Sequence, residues 1–144
     1  MSTNTTPRET KRRPGTGLSA GLWIAQVLLA LAFGMSGWMK AATPIPELTA
    51  KVAWVADVPA PLVRFIAAAE LAGAIGLLLP ALTRILPVLT PLAGTGLATI
   101  MLLATVFHLR RGEMPAIGFT IVLGALAAFV AWGRFRKAPI APRV

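Results

Sequence analysis

Four long apolar stretches, each bounded by proline, glycine or basic residues, govern what this chain can become. They run from about Leu18 to Ala42, Leu62 to Leu82, Pro87 to Leu109 and Ala116 to Trp132. At about 1.5 Å per helical residue, such lengths suit a hydrocarbon layer of about 30 Å. Of the 144 residues, 56% are hydrophobic and 13% charged, whereas a soluble domain averages about 25% charged. A soluble chain this small buries only about two-thirds of its unfolded surface, too little to hide so much apolar area. The excess must face lipid, which excludes a soluble enzyme, and the same hydrophobicity excludes a disordered chain. The expected fold is all-α: an integral membrane four-transmembrane-helix bundle forming one domain over residues 18–133.

The breaks between the stretches have distinct character. Residues 1–17 are polar and basic and are expected to form a disordered tail. Arg8, Lys11, Arg12 and Arg13 resemble the start of a signal peptide. The apolar run that follows is too long for one, so a retained first span is expected. Residues 43–61 hold Pro44, Pro46, Pro59 and Pro61. Between these prolines, Leu48, Val52, Trp54 and Val55 suit a short helix lying on the membrane surface. The link from Pro80 to Pro87 admits only a helical hairpin, and residues 134–144 form a second basic tail.

Charge sets the expected orientation. The two tails and the Pro80–Pro87 link carry nine lysines and arginines, while the opposite side carries five, namely Lys40, Lys51, Arg64, Arg110 and Arg111. Basic residues accumulate in the cytoplasm, so both termini are expected there. Trp23 and Trp132 would mark the inner interface, Trp38 and Trp54 the outer. The net charge of +9 is thereby read as topology, with the lipid bilayer as partner and no nucleic acid.

Polar residues converge on the outer half. Lys40 closes the first span, Arg64 opens the second, and His108 with Arg111 closes the third. Glu70 lies six residues beyond Arg64, about 9 Å deeper. A carboxylate at that depth must face the bundle interior and find a partner. Its face carries Ala67, Gly73 and Ala74, small enough for a neighbouring helix to come close. The expectation is an outer-half polar cluster of Lys40, Arg64, Glu70, His108 and Arg111, with Glu70 and His108 the candidates for proton exchange. Snorkelling at helix ends would explain Lys40, Arg64 and Arg111 equally well. With no cysteine and one histidine, the chain has no thiolate, iron–sulfur ligation, bis-His haem or histidine-rich metal site to offer.

The stretch from Leu62 through Glu70 to Thr83, the run Val106-Phe-His108-Leu-Arg-Arg-Gly-Glu113 and the ending Phe33-Gly-Met-Ser-Gly-Trp-Met-Lys40 together resemble the DoxX-like membrane proteins. The resemblance covers about Trp23 to Trp132. It implies a four-helix protein of the bacterial inner membrane and carries Lys40, Arg64, Glu70, His108 and Arg111 over as a polar site. Some relatives are subunits linked to quinone-dependent oxidation of sulfur compounds or to redox-stress complexes.

Three functions follow as expectations. The first is an accessory or assembly component of a membrane complex, without catalysis of its own. The second is a quinone-linked redox subunit, which would need a bound quinone or a partner subunit because the chain has no intrinsic cofactor. The third is a small transporter or proton path, thinly supported because no polar chain continues inward from Glu70. Gly118, Gly124, Ala125 and Ala128 on the fourth span would serve either internal packing or a homo-oligomer contact.

Overall fold

The structure, a computed structural model, describes residues 15–144, and every described element is helical. The expected tail 1–17 lies outside the described residues except at its end, where Thr16 and Gly17 already belong to the first helix. Helix α1 spans Thr16–Ala42, α2 Ile45–Lys51, α3 Ala60–Thr83, α4 Leu89–Arg111 and α5 Met114–Trp132. A 3-10 turn, Ala53–Asp57, lies between α2 and α3, and a π-helical turn, Gly133–Lys137, continues α5. The four long helices, α1, α3, α4 and α5 with its π turn, are each apolar and long enough to cross a membrane. The chain is therefore an all-α protein with four spans, as its hydropathy predicts.

The boundaries follow from local chemistry. Proline opens α2, α3 and α5 in the first turn, where the missing backbone donor has no intrahelical acceptor to lose. Helix α4 ends at Gly112, whose φ of 70° is the left-handed cap that glycine adopts without strain. Helix α3 ends at Arg84 with φ 58°, and its backbone N–H bonds the Pro80 carbonyl. These tight caps leave adjacent spans antiparallel, so the bundle has a connector end, holding α2, the 3-10 turn and Gly112, and a termini end.

Packing runs α1 on α3, α3 on α4 and α4 on α5, with a thinner contact between α1 and α5. Lipid tails are as apolar as leucine, so helix association rests on close van der Waals fit rather than on escape from water. The fit is tightest at glycines. A Cβ on Gly37 of α1 would sit 3.0 Å from the Ala67 carbonyl of α3, and one on Gly94 of α4 would sit 3.0 Å from the Ala127 carbonyl of α5. The shared core is Leu29, Phe33, Leu77, Leu97, Met101 and Val130. Leu28, Met35, Phe65, Leu102, Leu103 and Phe119 are exposed and form the lipid-facing belt. Gly124 packs on Met101, whereas Gly118 faces open space.

Two features outside the spans matter for the site. The connector forms a short helix, Ile45–Lys51, followed by the 3-10 turn, and Leu48 and Val55 turn inward and pack with Val63 as a second small core beneath them. The segment 134–144 is not wholly a solvated tail. The π turn carries Arg134 back into the bundle, where it is buried, and the Arg143 N–H bonds the Arg84 carbonyl.

Candidate functional site

At the connector end the four spans enclose a cavity of about 680 Å³, within the usual range for a small-molecule pocket. Its walls are α1 from Ala32 to Lys40, α3 at Phe65, Ile66 and Glu70, α4 from Ile100 to His108, and α5 at Phe119, Thr120 and Leu123. Val52, Trp54 and Val58 of the connector also line it. Trp54 is thus a cavity residue, edge-on to Phe107 with ring centroids 6.2 Å apart. The lining is apolar except for a few side chains, chiefly Ser36, Lys40, Glu70, His108 and Thr120.

The expected five-residue cluster divides into three units. Lys40 and Glu70 form a buried ion pair, with Nζ 3.0 Å from one carboxylate oxygen and 2.7 Å from the other. Nζ also donates to Ser36 Oγ, one turn back on α1. The close α1–α3 approach at Gly37 brings the two side chains within reach. Arg64 stays outside the cavity lining and donates to the carbonyls of Lys40, Ala41 and Thr43. It thereby satisfies acceptors that the end of α1 would otherwise leave open. His108 and Arg111 belong to a third unit, centred on Glu113.

Glu113 is the site residue that sequence reasoning missed. Its Oε2 lies 2.5 Å from His108 Nδ1 and its Oε1 accepts from Arg111 Nε at 2.8 Å. The left-handed turn at Gly112 folds Glu113 back onto the last turn of α4, which is why a residue five positions after His108 reaches its ring. Glu113 lies between the C-terminus of α4 and the N-terminus of α5, which it caps and whose dipole suits a carboxylate; the basic residues just before it were the available signal. Arg111 also pairs with Asp57 in the 3-10 turn and lies over the Phe107 ring, 5.7 Å from its centroid. The connector is thus tied to the end of α4 beside the cavity.

Glu70 and His108, the two candidates for proton exchange, make no direct contact. Glu70 gives both oxygens to Lys40 and His108 gives Nδ1 to Glu113, so the two face one cavity from separate partnerships. The physical reason is proximity within each hairpin: α1 against α3 supplies Lys40, and the α4–α5 corner supplies Glu113.

The Glu113 carboxyl is held below its ordinary value of 4.5, first by the hydrogen bond to His108 and then by Arg111. A depressed carboxylate contributes stability that is fully present above its unfolded value and lost as pH falls through its folded one. The α4–α5 corner should therefore loosen only below pH 4.5. Amide exchange at Gly112 and Met114 should rise there, and in Glu113→Gln that acid-dependent step should be missing.

The termini end holds a second polar group, which joins Gln26 of the first span to Arg134, a residue the sequence reading placed in a tail. Gln26 Nε2 donates to the Leu77 carbonyl at 2.7 Å, and its Oε1 accepts from Arg134 Nε at 2.7 Å. Arg134 Nη1 donates to the Ala138 carbonyl at 3.2 Å, and its guanidinium lies 5.3 Å from the Trp23 ring centroid. No group of three or more metal-ligating side chains occurs among the described residues.

Together these features define a four-span membrane protein with a ligand-sized cavity at one end and a sealed polar lock at the other. The chain belongs to the DoxX-like family, whose model matches residues 24–130. Neither curated proteins nor solved structures gave a match.

Proposed function

We propose that the protein is a membrane subunit that holds a lipid-soluble molecule of the quinone class in the connector-end cavity. The observation that carries this reading is the cavity itself: about 680 Å³, apolar in the main, with Glu70 of α3 and His108 of α4 both in its lining. Met35, Phe65, Leu103 and Phe119 line it and are also exposed, so its mouth opens sideways toward lipid, where quinones dissolve. A quinone ring would sit between the Lys40–Glu70 pair and His108, with its apolar chain leaving between those side chains. When bound, such a group supplies reversible two-electron chemistry. The chain has no cysteine and one histidine, so electrons would come from a partner subunit.

Protons have a better route than electrons. Lys40 and Glu70 side chains are 7% and 4% exposed, whereas Glu113 is 31% exposed. Proton exchange therefore runs through His108 and Glu113 rather than Glu70. In the orientation that basic residues favour, with both termini cytoplasmic in a bacterial inner membrane, this exchange faces the outside. Transport across the whole bilayer is disfavoured, because Leu29, Phe33, Leu77 and Leu97 form an apolar layer between the two polar ends.

The test is mass spectrometry of small molecules retained after gentle purification, with Ala104→Phe beside the wild type. Ala104 lines the cavity, and a phenyl ring there fills space the ligand needs. A near-stoichiometric quinone in the wild type, reduced at least about tenfold in the variant, is the expected result, since lost contacts of about 1.4 kcal/mol suffice. Phospholipid alone in both would instead favour a purely accessory subunit. That second reading draws on the self-satisfied Lys40–Glu70 and Arg64 contacts, which hold α1 against α3 whether or not a ligand binds.

A further inference from the structure

The cavity offers acceptors where a ligand headgroup would lie. Lys40 has three N–H donors, and they meet Ser36 Oγ and both oxygens of Glu70. Its charge is present, but its hydrogen-bonding capacity is spent. Thr120 donates to the Ile117 carbonyl and accepts from Thr105, so its remaining capacity is a lone pair. Glu70 likewise keeps lone pairs that Lys40 does not occupy. Of the polar lining side chains, Ser36 and the indole of Trp54 retain a donor with no acceptor among the described residues.

His108 decides the balance. Glu113 is ionised through the physiological range, because its carboxyl is held below the ordinary carboxylate value. An ionised carboxylate only accepts, so the proton between it and His108 belongs to Nδ1. When the ring holds that single proton, Nε2 carries a lone pair. That nitrogen has no partner among the described residues, and His108 lines the cavity.

We propose that Glu113 is a positioning residue that fixes His108 as a hydrogen-bond acceptor, so that the cavity selects hydroxyl-bearing headgroups, the reduced hydroquinone form over the oxidised carbonyl form. The ligand half of this rests on the quinone-class reading above; the Glu113–His108 half does not. A hydroxyl donor would find acceptors at Nε2 and at Glu70, both in the lining. A carbonyl would meet acceptors there and leave its own oxygen and Nε2 without a donor, which is penalised in an apolar pocket.

One histidine in the chain makes the first readout unambiguous. Nitrogen-15 spectra of the histidine-labelled protein in nanodiscs, without ligand, should show a neutral imidazole protonated on Nδ1. Glu113→Gln, whose amide can donate as well as accept, should redistribute the proton toward Nε2. The cap of α4 is made by backbone atoms, the Gly112 N–H on Leu109 and the Glu113 N–H on His108, so this variant keeps its fold, and circular dichroism verifies that. A wild-type proton on Nε2, or a tautomer indifferent to Glu113→Gln, overturns the proposal.

The second readout compares a decyl-hydroquinone with its dimethyl ether, which has the same ring but no donor, by quenching of tryptophan fluorescence. The diol should bind about tenfold or more tightly, and Glu113→Gln should erase most of that preference. Equal affinities in the wild type overturn the selectivity. If neither probe binds while the tautomer is as stated, the quinone-class reading fails with the ligand half, and the Glu113–His108 half stands.

Discussion

Lys40→Met is expected to destabilise the bundle by about 3–5 kcal/mol, the range for breaking one partner of a buried ion pair. Methionine roughly matches the lysine stem in length, so packing against α3 survives, and the loss isolates the ammonium. Glu70 would keep its burial, 3% exposed, and lose both of its short contacts with Nζ. Ser36 would lose its partner too. The double variant Lys40→Met with Glu70→Leu should recover most of the loss, because a well-packed apolar pair often equals a buried ionic one. Equilibrium unfolding in mixed micelles measures both. A single-variant loss below about 1 kcal/mol would place the pair among solvated ion pairs, with water reaching it through the cavity.

Gln26→Leu is the more counterintuitive case. By hydropathy it improves a membrane span, replacing an amide with an alkyl group of similar size. In this bundle it should cost about 2–3 kcal/mol, because it removes the acceptor of a buried guanidinium. Arg134 is 5% exposed and its Nη2 is already without a partner among the described residues. Losing Gln26 Oε1 strands Nε as well, and the Leu77 carbonyl loses the Gln26 donor. The paired change Gln26→Leu with Arg134→Leu should be far milder than Gln26→Leu alone, the same non-additivity that marks residues sharing one network. The readout is again the unfolding midpoint. A neutral or stabilising single variant would mean that Arg134 finds an alternative partner at the lipid headgroups.

The two ends of the bundle differ in how far they can be read from residue order. Hydropathy and the span lengths determine the all-α class and the four crossings, since an apolar segment of that length in lipid has to satisfy its own backbone. Spacing also places Val63, Ile66, Ala67, Glu70, Gly73, Ala74 and Leu77 on one face of α3, and all of these but the half-buried Ile66 are buried. A carboxylate on such a face announces that it has a partner. Which partner is another matter: Lys40, Arg64 and His108 all end at the same level, and periodicity cannot rank them. The answer came from Gly37, which lets α1 approach α3 closely enough for Lys40 to take both oxygens.

Glu113 and Arg134 show where linear reasoning stops. Glu113 reads as a loop acid until the left-handed Gly112 folds it onto His108. Arg134 reads as one more basic tail residue until a π-helical turn swings it inward to Gln26, more than a hundred positions earlier in the chain. The sequence alone determined that this chain spans a membrane four times and hides a carboxylate, because hydrophobic length and periodicity are local properties. The tertiary structure alone decided which charges are mutually spent, which histidine nitrogen Glu113 engages and how large the cavity is. Those are set by helix-to-helix distance and by cap geometry, and neither is encoded in the order of residues along a single helix.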